Sequence, residues 1–469
     1  MIFLLALIMI LLTGDTQMSE MERIQVYEKN PRYWQYKGKP ILLISGSDED
    51  NLFNHLELLA QNFDILREIG GNYIRSTLSC RGEGNVWPFV ERDGKFDLDQ
   101  FNPEFFRRLE YSCREAEERD IIVQIELWAT YDFYRSAWLK NPWNPGNNIN
   151  YSTENTHLET EADYSQQRVI HPFFLTPPAL NSDTAVLQYQ DAFVRKVLDV
   201  TLPYPNVLYC LDNETKSPPE WALYWGDFLK KESQRRDILI NLTEMCDAWD
   251  ISEDNHRVVY EHPEYFSYTE VSQNNWQNGQ THYDRLMWFR ENLTGQPGGI
   301  RPMNNVKVYG RITWNKPMDV QLNLDRWWQN IFAGCASTRF HRPEFYYYEP
   351  KDYYGLGLLD LAQTHIRAAR KFTSAFDIFS CEPRPDLLSE TGEGEAYLLA
   401  DPGQTYAVYF PTGGKASVML KPADDAYLLS WFDLETAEFM DTQTLPMAAR
   451  VNLEAPSTDK IWLALIGKR

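Results

Sequence analysis

The pattern of apolar and polar positions divides the chain at about residue 383. Before this point, short apolar runs with the length of buried strands alternate with segments whose apolar residues recur every three or four positions, as on one face of a helix. After it, apolar runs are separated by glycine, proline and aspartate at short, regular intervals. The first pattern predicts parallel strands alternating with helices, and the second predicts antiparallel strands.

Eight strand–helix units are predicted between residues 41 and 375. Their strands are expected at residues 41–45, 72–78, 121–127, 206–211, 238–244, 265–271, 306–309 and 337–340. Eight such units in succession are typical of the α/β fold known as the (β/α)8 TIM barrel. The alternative is an open, doubly wound sheet, which normally carries a glycine-rich phosphate-binding turn after its first strand. Ser45-Gly46-Ser47-Asp48 is not such a turn.

Three further segments complete the predicted organisation. Residues 1–18 contain an apolar run that is too short to span a bilayer and has the length of a signal-peptide core. We therefore predict a signal peptide at 1–18, a barrel with an N-terminal β hairpin at 19–383, and a small antiparallel β-sandwich at 384–469. The protein is expected to be exported, to the periplasm or the extracellular space, without membrane insertion after signal cleavage. An insertion at 134–180, rich in asparagine, proline and aromatic residues, is predicted to form part of a cleft.

Composition narrows the class of partner. The net charge of -22 argues against nucleic acid and against anionic membrane surfaces as partners. An aromatic content of 14% suits a sugar-binding cleft, although large cores also use aromatic residues. The six cysteines lack the spacing of a zinc site or a disulfide framework, and most are expected to be buried free thiols. No dinucleotide or phosphate-loop motif occurs, so we predict no cofactor and no metal.

The fourth predicted strand ends in Asp212-Asn213-Glu214. Parallel barrels carry their chemistry at the C-terminal ends of their strands, and an acid–amide–acid cluster is costly to bury unless it is paired or used. Cleavage of a glycosidic bond needs two carboxyl groups that flank the bond. We therefore predict Glu214 as a general acid/base and Asn213 as a ligand for a sugar hydroxyl. The alternative, that the cluster caps the next helix, is weakened because Ser217 already supplies a cap.

Several short motifs resemble one group of enzymes. Asn213-Glu214 at the end of the fourth strand resembles the acid/base motif of the clan of retaining (β/α)8 glycosidases. Residues 32–40, 272–275, 327–336 and 340–343 are similar to secreted glycoside hydrolases of the apiosidase-like group. The resemblance implies a catalytic barrel followed by a small C-terminal β domain, with Glu214 as the acid/base.

The chain departs from that clan at the seventh predicted strand. The clan carries its nucleophile, a glutamate, at the end of this strand, whereas the chain reads Val306-Lys307-Val308-Tyr309 and has no acid before Asp319. Glu244, at the end of the fifth strand, is the favoured second catalytic carboxylate, with Glu126 and Glu270 as other placements. An inverting mechanism, with its longer separation between carboxyl groups, would tolerate such a shift. The alternative role for Glu244 is a salt bridge with a barrel arginine.

Further residues at strand ends are predicted to bind substrate. They are Arg75, Glu126, Trp128, Gln273, Asn274, His341 and Arg342. Amide side chains bind hydroxyl groups, a tryptophan stacks on a sugar ring, and an arginine anchors a carboxylate or holds a catalytic acid in place. The sequence thus predicts a glycoside hydrolase acting on an oligosaccharide or polysaccharide. The alternative is a non-catalytic carbohydrate-binding protein on a degenerate glycosidase barrel.

Overall fold

The computed structural model describes residues 22–47, 51–79, 82, 84–162, 170–309, 312–313, 316–317, 320–341, 360–392 and 396–468. The strands before residue 342 are β1 (Gln25–Val26), β2 (Trp34–Tyr36), β3 (Lys39–Ile41), β4 (Leu43–Ser47), β5 (Tyr73–Thr77), β6 (Phe89–Arg92), β7 (Lys95–Phe101), β8 (Ile122–Ala129), β9 (Val207–Asn213), β10 (Leu242–Thr243), β11 (Thr269–Glu270), β12 (Met303–Asn304), β13 (Val308–Tyr309), β14 (Ile312–Thr313), β15 (Lys316–Pro317) and β16 (Ser337–His341). The helices are α1 (Leu56–Glu68), α2 (Pro103–Glu117), α3 (Arg135–Trp138), α4 (Thr184–Thr201), α5 (Pro219–Gln234), α6 (Arg257–Glu261), α7 (Gly279–Thr294), α8 (Val320–Phe332) and α9 (Asp360–Thr373). Within these residues, no helix combines the length and the apolar character that crossing a membrane requires.

Parallel strands alternate with helices in this part of the chain. Strands β5, β8, β9 and β10 pair in parallel, as do β11 with β12, and β13 and β4 with β16. Each of the eight predicted strands therefore has a counterpart, although the fifth, sixth and seventh are reduced to Leu242–Thr243, Thr269–Glu270 and Val308–Tyr309. Every residue of β8 is buried, which is typical of a parallel strand with both faces covered.

Hydrogen bonds also join these groups of strands to one another. The amide of Asn72, just before β5, donates to the carbonyl of Ile44 in β4 at 3.0 Å. The amide of Ser267 donates to Leu242 of β10 at 3.1 Å, and the amide of Ala336 donates to Met303 of β12 at 2.8 Å. Backbone pairing thus continues from one group of parallel strands to the next.

The N-terminal strands β1, β2 and β3 form an antiparallel sheet that covers the beginnings of the parallel strands. Trp34 of β2 is fully buried in one apolar cluster with Leu43 and Tyr73, the first residues of β4 and β5. Its indole Nε1 donates to Asn304 at 2.9 Å, and its ring lies 5.1 Å from that of Tyr268. This end of the parallel strands is therefore filled by side chains.

The C-terminal part contains only antiparallel pairs among the described strands. These strands are β17 (Glu382–Pro383), β18 (Leu388–Ser389), β19 (Tyr397–Asp401), β20 (Thr405–Phe410), β21 (Lys415–Met419), β22 (Tyr427–Asp433), β23 (Glu438–Phe439), β24 (Gln443–Thr444), β25 (Arg450–Glu454) and β26 (Trp462–Lys468). They form one sheet in the order β17-β19-β20-β26-β22-β23, with β24 also on β22, and a second sheet in the order β18-β21-β25.

The larger C-terminal sheet takes part in two hydrophobic cores because its side chains alternate between its faces. Leu398 and Val408 belong to a cluster shared with the smaller sheet, whereas Leu399 and Tyr409 belong to the core that contains the helices of the α/β part. The hydroxyl of Tyr409 donates to Asp325 of α8 at 2.8 Å. The antiparallel part is therefore packed directly against the α/β part.

The predictions for the chain termini and cysteines have mixed outcomes. The predicted signal peptide at 1–18 lies outside the described residues. Five cysteines fall within the described ranges, and all five are buried free thiols, as expected for most of them.

Candidate functional site

Glu214 lies immediately after β9 in an unusual backbone conformation. Its φ of 61° is in the left-handed region, which costs a residue with a β-carbon about 1–3 kcal/mol and is concentrated at functional sites. The side chain remains 13% exposed, while the preceding Asn213 is buried. The fourth strand therefore ends by turning a carboxylate toward a solvent-accessible surface.

Lys307, just before β13, is the principal partner of Glu214. Its Nζ donates to the Glu214 carboxylate and to the Asn213 side-chain carbonyl. Burial alone would raise the pKa of Glu214, but the charge and hydrogen bond of Lys307, with smaller contributions from Arg75 and Gln273, hold that pKa below its usual value. Glu214 is consequently ionised at neutral pH, and a buried cation lies at the seventh strand, where the resemblance implied a glutamate.

Two predicted substrate-binding residues also lie beside Glu214. Gln273 hydrogen-bonds its carboxylate from the short 3-10 helix Ser272–Trp276, which follows β11. Asn213 shares Lys307 with it. The structure thus brings together side chains from the ends of the fourth, sixth and seventh predicted strands, which are far apart in sequence.

Arg75 and Glu126 form a fully buried ion pair below this group. Arg75 Nη2 donates to Glu126 Oε2 at 2.8 Å, and the hydroxyl of Thr77 donates to the same oxygen at 2.6 Å. Neither charged side chain is exposed to solvent. Arg75 therefore takes the alternative role given for it above, holding an acid in place, and neither residue presents its charge to a substrate.

Glu244 does not take the position predicted for a second catalytic carboxylate. It is buried, and its Oε1 accepts the backbone amides of Asp212 at 3.0 Å and Met245 at 2.7 Å. Its carboxyl group also hydrogen-bonds that of Asp212, whose Oδ2 accepts from Trp221 at 2.8 Å. Burial and the neighbouring acid raise the pKa of Glu244 well above normal, and burial raises the pKa of Asp212 to about 7. The two acids share a proton, so Glu244 ties β10 to the end of β9 instead of reaching the surface.

Two other predictions are corrected because the side chains face the core. Trp128 is only 2% exposed, and the rings of Trp143, Phe173 and Trp225 lie 5.3–6.0 Å from it, so no sugar can stack on its faces. Asn274 is fully buried and donates to the carbonyl of His282 at 2.9 Å. Trp128 therefore anchors the insertion at 134–180 to β8, and Asn274 anchors the loop after β11 to α7.

The predictions for the eighth strand are only partly covered. His341 is buried at the end of β16, with its ring 5.0 Å from that of Tyr309. Arg342 and Asp319 lie outside the described residues.

Comparison with known structures identifies the architecture. The chain shares the fold of glycoside hydrolases. It is similar to a protein described as a glycoside hydrolase, with a TM-score of 0.65, 11% identity and coverage of 96% of this chain and 97% of the other. It is also similar to a glycoside hydrolase family 5 protein from Bacteroides vulgatus, with a TM-score of 0.64, 12% identity and coverage of 96% and 94%.

A family 5 mannosidase from Rhizomucor miehei, solved with mannosyl-fructose, matches 75% of this chain and 97% of its own, with a TM-score of 0.52 and 12% identity. No protein-family profile matches the sequence, and no curated protein matches it. The likeness is therefore one of fold.

Within this glycoside hydrolase fold, one acid near Glu214 was missed by the sequence analysis. The side chain of Asp247 is 15% exposed, and its Oδ2 lies 3.3 Å from Lys216 Nζ. Its backbone amide donates to the carbonyl of Thr215 at 2.7 Å. Burial and the negative charge of Glu214 raise the pKa of Asp247. It stands three residues after Glu244, so the only sequence signal was a second acid just beyond the end of the fifth strand.

Glu270 is also buried near the site but faces inward. Its Oε1 accepts the backbone amide of Ser272 at 2.8 Å, and its pKa is raised to about 7 by burial, against the opposing effect of the Ser272 hydrogen bonds. Glu214 and Asp247 thus keep part of their side-chain surface exposed, at 13% and 15%. The other acids considered above, Glu126, Glu244 and Glu270, are buried.

Proposed function

We propose that the protein is a glycoside hydrolase that cleaves a glycosidic bond in an oligosaccharide or polysaccharide, with Glu214 as a reacting carboxylate. The observation that carries the proposal is a partly exposed carboxylate at the C-terminal end of a parallel strand, held by Lys307 and Gln273. The shared fold supports it, because glycosidases of this kind place their acids at that end of the strands.

The proposal includes the architecture. The hydrogen bonds that join successive groups of parallel strands support a closed (β/α)8 barrel at 19–383, and the core shared by the two antiparallel sheets supports a β-sandwich at 384–469. The motifs at 32–40, 272–275, 327–336 and 340–343 support membership of the apiosidase-like group, and the apolar run at the N-terminus supports a signal peptide and export.

Two carboxyl groups with opposite pKa shifts suggest how the reaction is divided. Glu214 is ionised at rest, so it acts as the base that takes a proton from the attacking water. Asp247, whose pKa is raised, donates a proton to the leaving oxygen as the bond from the anomeric carbon to that oxygen breaks. This division corresponds to an inverting glycosidase and replaces Glu244 by Asp247 as the second carboxylate.

The alternative is a non-catalytic carbohydrate-binding protein, and one specific observation favours it. The ammonium of Lys307 neutralises Glu214 at the seventh strand, where retaining relatives of the implied clan would carry their nucleophile. A site of this kind still offers amide, hydroxyl and charged groups to sugar hydroxyls.

The two functions are separated by turnover. The purified protein is incubated with a panel of plant and host glycans, and release of reducing ends is measured together with the anomer first formed by NMR. We expect hydrolysis with inversion, and we expect Glu214→Gln and Asp247→Asn each to slow it by about 10²–10⁴-fold while leaving ligand affinity within a few-fold. Asp254→Asn, a change at a side chain that is 91% exposed, is the matched control.

Each other outcome has a definite meaning. Unchanged turnover in Glu214→Gln removes Glu214 from the mechanism. Glycan binding by the wild-type protein without hydrolysis of any glycan establishes the carbohydrate-binding alternative. Neither binding nor hydrolysis across the panel contradicts both proposals.

A further inference from the structure

We propose that Trp249 and Trp276 together form a platform on which a sugar ring stacks, next to the site at Glu214. This inference rests on the proposed function for the class of ligand, a neutral oligosaccharide. The two indole rings are stacked, with centroids 5.0 Å apart and planes at 25°. Trp249 is 53% exposed and Trp276 is 42% exposed.

The platform belongs to the two loops that hold the site. Trp276 ends the 3-10 helix that contains Gln273, a hydrogen-bond partner of Glu214, and three residues of such a helix rise about 6 Å. Trp249 follows Asp247 by two residues, or about 7 Å of extended chain. The Gln277 side chain donates to the carbonyl of Trp249 at 3.4 Å and so joins the loops. The aromatic surface is therefore carried by the same two loops as Gln273 and Asp247, next to the proposed catalytic centre.

The exposure of these rings needs an explanation. Seven tryptophans of this chain are among its largest fully buried side chains, namely Trp34, Trp128, Trp138, Trp221, Trp225, Trp327 and Trp328. Two adjacent exposed tryptophans instead form a contiguous apolar surface of the kind that marks a binding site. One face of each indole is covered by the other, and the exposed fractions of the two side chains show that part of their remaining surface is open to a ligand.

A pyranose ring is the ligand that such a surface suits. Its apolar C–H face covers an indole, while its hydroxyl groups remain directed to the polar surroundings. Next to Trp249 in the sequence, Asp250 Oδ2 pairs with Arg285 Nη2 at 2.9 Å, so these two charges balance each other. The exposed parts of the guanidinium and the carboxylate can donate to and accept from sugar hydroxyls. Since each indole restricts the other, less side-chain freedom is lost when the sugar binds.

The platform is tested by binding in the Glu214→Gln background, where turnover cannot remove the ligand. The probes are hexaoses and disaccharides of β-1,4-mannose, β-1,4-glucose, β-1,4-xylose and α-1,4-glucose, measured by calorimetry and by tryptophan fluorescence. We expect at least one hexaose to bind, and Trp249→Ala and Trp276→Ala each to weaken it about tenfold. Trp288→Ala, at another exposed tryptophan (38%) on α7, is the matched control and should change nothing.

The outcomes separate this inference from the proposed hydrolysis. Equal affinity in Trp249→Ala, Trp276→Ala and Trp288→Ala overturns the platform, whatever the wild-type protein hydrolyses. Weaker binding confined to the two platform variants supports the platform even if the wild-type protein hydrolyses nothing. Trp276→Tyr, which keeps a flat ring, should recover most of the affinity, and failure to do so counts against stacking. Binding of no probe at all also overturns the proposal.

Discussion

The ammonium of Lys307 contacts both the carboxylate of Glu214 and the side-chain carbonyl of Asn213, so one buried cation holds the two polar side chains at the end of β9. Because the Lys307 side chain is only 3% exposed, solvent screens its charge weakly from Glu214. The protonation state of Glu214 is therefore set by the protein itself.

We predict that Lys307→Met raises the pKa of Glu214, because burial then acts without the opposing cation. Since Glu214 is needed in its ionised form as a base, the acidic limb of the pH profile of kcat/KM should move to higher pH. Lys231→Met, at an exposed ion pair with Asp227 on α5, is the control. An acidic limb that stays in place in Lys307→Met would show that Glu214 is not the group that titrates.

The proton shared by Asp212 and Glu244 predicts a loss of stability at alkaline pH. Both pKa values are raised in the folded protein, so the stabilising contribution is present below the ordinary carboxyl pKa and is lost as the pH rises through the folded values, about 7 for Asp212. Glu244→Gln offers an amide N–H in place of that proton. The variant should therefore lose less free energy of unfolding than the wild-type protein between about pH 5, above the ordinary carboxyl pKa, and about pH 7, by about 1.4 kcal/mol per pH unit for each proton involved.

Urea unfolding at several pH values measures this difference, with Glu118→Gln, at an exposed side chain immediately after α2, as the control. Turnover provides a second readout. If folded Glu244→Gln is inactive while Asp247→Asn is active, Glu244 must be restored as the second carboxylate.

The buried pair of Arg75 and Glu126 predicts a strong non-additive effect. Arg75→Met leaves the Glu126 carboxylate buried without its cation, which should lower the free energy of unfolding by about 3–5 kcal/mol. Glu126→Gln in the same chain removes the unpaired charge and should recover most of that loss. Chemical denaturation of the two single variants and the double variant checks this, and additive losses would contradict the assigned pairing.

Two tryptophans should respond to substitution in opposite ways. Trp128→Ala removes a ring from the aromatic core and should lower the free energy of unfolding by about 3–5 kcal/mol, with ligand affinity of the folded protein unchanged. Trp249→Ala removes an exposed ring and should leave the urea midpoint nearly unchanged. A loss of ligand affinity in folded Trp128→Ala would show that Trp128 contributes to ligand binding and would contradict the role in the core assigned to it.

Much of the α/β framework was predictable because buried parallel strands read as continuous apolar runs. All eight predicted strands have counterparts, and the hydrogen bonds of Glu214 with Lys307 and Gln273 agree with its placement at a strand end. Glu214 stood out because it belongs to the polar cluster Asp212-Asn213-Glu214, which directly follows such a run in the sequence.

The partners of Glu214 were not predictable, since they depend on contacts between distant segments. The sequence indicated position 307 only as one where a glutamate is missing, whereas the Lys307 ammonium in fact binds the Glu214 carboxylate. Glu244 and Asp247 are three residues apart, and the sequence could not indicate that the first pairs with Asp212 while the second remains partly exposed. The same limit applies to Trp128, whose burial depends on rings contributed by the insertion.

The packing of the larger antiparallel sheet limits how the protein can be shortened. Its Tyr409 ring lies 6.0 Å from Trp328 and 5.5 Å from Phe332, and its Tyr397 accepts a hydrogen bond from Gln329. A fragment that stopped at residue 383 would leave those aromatic side chains of α8 in water. Such a truncated protein is expected to aggregate during expression, so a shortened form would have to retain the C-terminal strands or carry polar residues in place of the newly exposed rings.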